Sequence, residues 1–129
     1  MVKISKRTLS KRILIVEDEK PMARALALKF GALGCETKLA SDGEEALQLL
    51  GSKRFDLIIL DLVMPKLDGF DFLKKMGPKT KKIPVIVLSN LSQEEDAKKA
   101  RELGAKEFFV KSEMRIVDIA SIVKKELGL

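Results

Sequence analysis

The chain contains no histidine, no tyrosine and no tryptophan, and its single cysteine is Cys35. The missing histidine is the most restrictive absence. It removes histidine bases, histidine metal ligands and any phosphohistidine carried by this chain itself. A lone cysteine excludes an internal disulfide and leaves no paired thiolates for zinc, so a reducing, cytoplasmic location is expected. Long hydrophobic runs are missing too: apolar stretches extend four or five residues before a charge interrupts them, where a membrane span needs about 20. No signal-peptide core follows the basic amino terminus. Chemistry therefore falls to carboxylates, hydroxyls and lysines.

What is present is a rhythm. The 129 residues fit one domain, and within them apolar runs alternate five times with amphipathic stretches, the pattern of an α/β sheet. Strands are predicted at Arg12 to Val16, Glu36 to Leu39, Leu57 to Leu60, Val85 to Leu88 and Glu107 to Val110. A first helix is expected from Pro21 to the Gly31–Gly34 region, and a second from a Ser41/Glu44 capping box to just before Gly51. The third follows Asp68 as cap and ends at Gly77-Pro78, and the fourth opens on a Ser92/Glu95 capping box and closes at Gly104. In the fifth, Ile116, Ile119, Ala120, Val123 and Leu127 share a face, with Lys124, Lys125 and Glu126 turned away. Residues 1–10 read as a basic amino-terminal arm and 11–129 as the folded domain.

The net charge is +6, and much of it sits in two clusters. One is Lys3, Lys6, Arg7, Lys11 and Arg12; the other is Lys74, Lys75, Lys79, Lys81 and Lys82 around Gly77-Pro78. The second is placed at the entrance to a strand, on the side away from the acids discussed next. Without interleaved aromatic residues for base stacking, a solvated surface is favoured over a nucleic-acid partner.

Charges, and in one case a hydroxyl, stand at the ends of the apolar runs. Glu17 and Asp18 follow Ile13–Val16, Asp61 follows Leu57–Leu60, Ser89 follows Val85–Leu88, and Lys111 follows Phe108–Val110. Ligands of open α/β sheets collect outside the carboxyl ends of the strands, so these residues are expected to share one pocket. Three neighbouring carboxylates repel one another unless a cation sits among them. All-oxygen ligation suits Mg²⁺, with Mn²⁺ as a substitute, and zinc is disfavoured. Metal, ammonium and hydroxyl around one carboxylate describe a phosphoryl acceptor, with Asp61 attacking in line and already ionised at neutral pH.

Ile13 to Glu19 (ILIVEDE), Asp61 to Gly69 (DLVMPKLDG), Val85 to Ser89 (VIVLS) and Gly104-Ala105 through Lys111 resemble the receiver domain of two-component response regulators. The resemblance spans nearly all of the chain from Lys11 onward. It implies a doubly wound, flavodoxin-like sheet of five parallel strands in the order 2-1-3-4-5 with five helices. It further implies Asp61 as phosphoacceptor, Asp18 as direct metal ligand, Glu17 acting through water, and the backbone carbonyl of Val63 as another metal contact. Ser89 is similar to the family's switch hydroxyl, Lys111 to its phosphate-binding lysine and Phe108 to its aromatic switch. The implied partners are a sensor histidine kinase or phosphotransfer protein, and a downstream target docking on the fourth helix, fifth strand and fifth helix. Such a protein is not a conventional enzyme: it catalyses phosphoryl transfer to itself and slow autodephosphorylation.

Three departures bear on this reading. Ser112 follows Lys111 where the family usually has proline, and a non-proline cis bond costs roughly 2.5–4 kcal/mol, which leaves the peptide geometry there open. Phe108 has no hydroxyl and also reads as a plain core aromatic. Val63 and Leu91 are apolar beside the expected phosphoryl position, so neither can hold an attacking water. That argues against a turnover phosphatase. A phosphorylation-independent binding module of the same fold is the alternative, and a nucleotide binder is disfavoured because no phosphate-cradling glycine loop follows the first strand. The end of the chain without a linker suggests a stand-alone receiver of the chemotaxis-regulator type; a fragment of a larger regulator is the alternative.

Overall fold

Strands that are apolar on both faces need cover on both sides, and the chain supplies it by alternating strands with helices. The computed structural model describes residues 10–129. In chain order the elements are β1 (Arg12–Val16), α1 (Lys20–Ala32), β2 (Glu36–Ala40), α2 (Gly43–Ser52), β3 (Leu57–Leu60) and α3 (Gly69–Met76). A 3₁₀ turn (Gly77–Lys81) leads to β4 (Val85–Ser89), α4 (Glu94–Glu102) and β5 (Glu107–Val110), and a second (Lys111–Glu113) leads to α5 (Ile116–Leu127). The expected arm lies outside the described residues except for Ser10, whose hydroxyl faces the Gly34 carbonyl at 3.4 Å.

All strand pairs are parallel and the order is β2-β1-β3-β4-β5, the doubly wound arrangement expected. Side chains alternate between faces along each strand, which divides the core in two. Leu14, Val16, Ile58, Leu60, Val85 and Val87 face α2, α3 and α4, whose Ala46, Phe72, Leu73, Met76 and Ala100 are buried with them. Ile13, Ile15, Leu57, Ile59, Ile86 and Leu88 face α1 and α5, which contribute Leu26, Phe30, Ile119 and Val123. Phe30 and Phe72 are wholly buried, each stabilising its layer by about 1.5–3 kcal/mol.

The helix starts depart from expectation where two candidate caps adjoin. The α2 cap is Asp42, whose carboxylate accepts the Glu45 N–H at 2.8 Å, while Glu45 reaches back to the Ser41 N–H at 2.7 Å. The cap is thus Asp42, one residue on from the expected Ser41, because Asp42 holds the extended backbone of the flanking position, and the side chain that reaches back is Glu45, to Ser41, rather than Glu44. At α4 the Ser92/Glu95 box does not form: Gln93 is the first flanking residue and no side chain caps the helix, which leans instead on Glu94, Glu95 and Asp96 in its first turn. α1 begins one residue before Pro21, and α2 runs through Gly51 to Ser52. Asp68 caps α3 as expected, accepting the Asp71 N–H at 2.9 Å. Glu126 is not turned away; it is half-buried and pairs with Lys106 at 2.6 Å, tying α5 to the start of β5.

Candidate functional site

Register explains why residues far apart in sequence converge. Val16 of β1 is level with Leu60 of β3, so Glu17 and Asp61 leave the sheet side by side. The ladder continues one step past each: the Glu17 N–H donates to the Ala40 carbonyl at 2.9 Å and the Asp61 N–H to the Val16 carbonyl at 3.0 Å. Ser89 is paired with Val110, which delivers Lys111 as the next residue at the same edge. The strand order reverses direction between β1 and β3, the place where such sheets open a crevice. A cavity of about 340 Å³ lies there, lined by Asp18, Glu19, Asp61, Asn90, Leu91 and Lys111, with Val63 at its rim.

Glu17 and Asp61 are buried, at 4% and 5% exposure, and Asp18 is less so. Oxygens of these three carboxylates lie within 4.8 Å of one another. The Lys111 ammonium sits against them, 2.8 Å from Glu17 Oε1, 2.8 Å from Glu19 Oε1 and 3.3 Å from Asp61 Oδ2. Two backbone groups also help hold the acids, the Glu19 N–H donating to Glu17 Oε2 at 3.1 Å and the Val63 N–H to Asp61 Oδ1 at 3.3 Å.

The electrostatics follow from that packing. Burial raises the Glu17 carboxyl above its ordinary range against the contacts with Lys111 and the Glu19 amide, and the Asp61 charge adds to the rise. Burial also works against the charge on Lys111, but its contacts with Glu17 and Glu19 and the charge of Asp61 outweigh it and hold the ammonium above the ordinary lysine range. Exposed Glu19 is held low by the Lys111 hydrogen bond. The cluster fits a hard divalent cation: every donor is a carboxylate oxygen, two of the three are buried, and only one ammonium is at hand for them.

Close packing beneath the site keeps Asp61 in place. A Cβ on Gly69 would fall 2.6 Å from the Asp61 carbonyl oxygen and 2.6 Å from Leu62 Cα, so only glycine fits at the start of α3. In the same loop Lys66 adopts a left-handed conformation (φ 64°), uncommon outside glycine, and its ammonium lies 3.8 Å from Asp42.

The expected residues separate into three groups. Glu17, Asp18, Asp61 and Lys111 come together, and Val63 and Leu91 line the same cavity. Ser89 is at the end of β4, fully buried, with its Oγ accepting the Leu91 N–H at 3.4 Å rather than lining the cavity. Phe108 is half-buried on the edge strand and packs on the α2–α4 side of the sheet. The peptide after Lys111 is trans, as are all others among the described residues. Two lining residues escape the sequence reading. Glu19 could have been found from its spacing two residues past Glu17; Asn90, the residue after a strand end, carries no comparable signal.

A doubly wound α/β protein with acids and a lysine gathered at the switch point is the class this fold and site define. Residues 13–124 match the family model of the response regulator receiver domain, and the chain belongs to that family. It is 38% identical over 117 residues to the gliding motility regulatory protein of Myxococcus xanthus, covering 88% of this chain and 15% of that protein. It is 39% identical over 103 residues to the regulator of RpoS of Escherichia coli K12, covering 80% and 31%. The chain thus spans less than half the length of these curated relatives. Among solved structures, the receiver domain of the Francisella response regulator 1452 superimposes with a TM-score of 0.84 at 30% identity, covering 92% of this chain and 98% of that one. The signal receiver domain of a histidine kinase from Syntrophus aciditrophicus superimposes with a TM-score of 0.82 at 36% identity, covering 92% and 91%. No helix among the described residues is long and apolar enough to cross a membrane.

Proposed function

We propose that this receiver domain takes a phosphoryl group onto Asp61 from a sensor histidine kinase or a phosphotransfer protein and switches a docking face in response. The observation that carries the reading is the meeting of Glu17, Asp18 and Asp61 oxygens within 4.8 Å beside the Lys111 ammonium. An Asp61 carboxylate oxygen forms the new bond to phosphorus while the donor's N–P bond breaks and its electron pair stays with the donor imidazole. No general base is required, which suits a chain without histidine. Glu17, Asp18, Asp61 and the Val63 backbone carbonyl would hold Mg²⁺, or Mn²⁺ in its place, with Glu17 acting through water. The ion supplies positive charge that offsets the phosphoryl oxygens. Lys111 must then exchange part of its hold on Glu17 and Glu19 for those oxygens, a short move of one ammonium within the same cavity.

Ser89 and Phe108 are the proposed switch. The Ser89 Oγ accepts one long hydrogen bond from the Leu91 N–H, a weak restraint on its position, and its O–H can donate a stronger, charge-assisted bond to a phosphoryl oxygen. Its inward movement would open space for Phe108, which is half-buried and has no hydroxyl to satisfy when it turns in. The face so altered comprises α4, β5 and α5, and we assign the downstream partner to it. We place the chain in the cytoplasm, with residues 1–10 as an arm on the receiver.

Incubation with acetyl phosphate and Mg²⁺, followed by intact mass and peptide mapping, tests the assignment. One phosphoryl group on the peptide containing Asp61 is expected, absent from Asp61→Asn. Equal modification of Asp61→Asn would sink it.

A further inference from the structure

At the amino-terminal edge of the sheet, opposite Asp61, a second cavity of about 420 Å³ lies between the end of α2, the approach to β3 and the turn before β4. Four exposed cations line it: Lys53, Arg54, Lys79 and Lys82. Its one acid is Asp56, and that carboxylate is engaged, accepting the Arg12 N–H at 2.9 Å. Among the described residues none of the four cations is paired with a carboxylate. Leu50, Phe55 and Ile83 add apolar wall to the same concavity.

Cations near a helix carboxyl terminus ordinarily offset the partial negative charge there. That accounts for Lys53, the residue following α2, and for Lys74 and Lys75 in the last turn of α3. The same applies to Lys79 and Lys82 at the end of the 3₁₀ turn, but not to Arg54, which precedes β3, nor does it explain why these separate segments bring their cations to one cavity. Four cations around a single acid, Asp56, leave a surplus of positive charge, and a bound anion relieves the repulsion among them. One single-charged anion leaves most of it in place. The volume is within the range of small-molecule sites, too small for a folded partner, and the apolar wall can take a ring or a chain.

We propose that this cavity is a second, separate binding site, for a small anion carrying two or more phosphate groups. Arg54 supplies a planar fork of N–H donors suited to phosphate oxygens, and the lysines act as movable point charges. The shared chemistry is a run of phosphates, which a nucleoside diphosphate or inorganic polyphosphate would each present. The site does not depend on Asp61 or on phosphoryl transfer.

An amide-detected NMR titration of the full chain in EDTA and roughly physiological salt tests it, with inorganic tripolyphosphate, ADP and inorganic phosphate as probes. Saturable shifts are expected at Lys53, Arg54, Phe55, Lys79 and Lys82, with tripolyphosphate and ADP at least about tenfold tighter than phosphate. Lys53→Gln with Lys82→Gln should weaken both by about tenfold or more, and Lys74→Gln with Lys75→Gln, outside the cavity, should change them less than about twofold. Tighter ADP would point to a nucleotide using the apolar wall; tighter tripolyphosphate would point to inorganic polyphosphate. Non-saturating shifts spread over all the surface lysines would mean an adventitious ion only and overturn the proposal. So would equal weakening by the two double variants, or a DNA duplex binding more tightly than either probe and unaffected by Lys53→Gln with Lys82→Gln.

Discussion

The two edges of the sheet are near-opposites in charge. At the carboxyl edge Glu17, Asp18, Glu19 and Asp61 crowd one ammonium, Lys111; at the amino edge Lys53, Arg54, Lys79 and Lys82 surround one carboxylate, Asp56. The difference lies in burial. Glu17, Asp61 and the Lys111 side chain are withdrawn from water, so each depends on the others, whereas the amino-edge cations are exposed and interact through solvent that screens them. Charge composition alone would rank the basic edge as the notable one, since the chain carries +6 overall. Packing ranks the acidic edge first, because a buried charge constrains its neighbours far more strongly than a solvated one.

That ranking can be broken by single substitutions. Lys111→Met removes the internal cation from the buried acids and should cost about 3 kcal/mol of stability in EDTA, as breaking a buried pair does. Mg²⁺ at roughly 100 times its dissociation constant should return about 2.7 kcal/mol of that, read from chemical denaturation with and without the ion. The same contact sets an alkaline limit. The folded-state value of Lys111 lies above the ordinary 10.5, so the folded protein binds that proton more tightly than the unfolded chain. Its contribution is therefore whole below pH 10.5 and lost as pH rises through the raised value. A stability profile in EDTA that falls with the same alkaline slope in wild type and Lys111→Met would contradict this.

Gly69→Ala should cost about 1–3 kcal/mol, because the added methyl meets backbone that carries Asp61, and it should slow phosphorylation as well. Loss of stability with an unchanged phosphorylation rate would show that the acceptor tolerates the shift. Val63→Asn with Leu91→Glu should speed loss of the phosphoryl group at least about tenfold by giving an attacking water a polar partner in a cavity that both side chains line. An unchanged decay rate would mean that water placement does not limit this site. At the other edge, Lys53→Gln or Lys82→Gln should alter stability by no more than about 0.5 kcal/mol in either direction. A loss as large as that of Lys111→Met would erase the contrast between the edges.

Much of the fold was legible because its strands are apolar on both faces: Ile13–Val16, Leu57–Leu60 and Val85–Leu88 can hardly be anything else, and the polar residue after each, Glu17, Asp61 and Ser89, marks the carboxyl edge of the sheet. Glu17, Asp18, Asp61 and Lys111 were legible for the same reason. The α2 cap was not, since Ser41 and Asp42 offer equivalent chemistry and only backbone angles choose between them. Glu19 was missed as a partner of Lys111 because an exposed acid at a helix start ordinarily serves the helix, and here it does not cap α1. Phe108, read from the resemblance as the aromatic switch with a plain core aromatic as the alternative, is half-buried, because β5 is the sheet's edge and has a neighbour on one side only.

The most direct measurement is an NMR comparison of wild type and Asp61→Asn with Mg²⁺ and beryllofluoride, a stable mimic of the phosphoryl group. The amide signals of Asp61, Ser89, Phe108 and Lys111 should move to a new, saturable position in wild type and stay in place in Asp61→Asn, with Lys53 and Lys82 unmoved in both. Equal shifts at Ser89 and Phe108 in the two proteins, or none in wild type under saturating Mg²⁺, would contradict Asp61 as the group that receives phosphate and drives the switch.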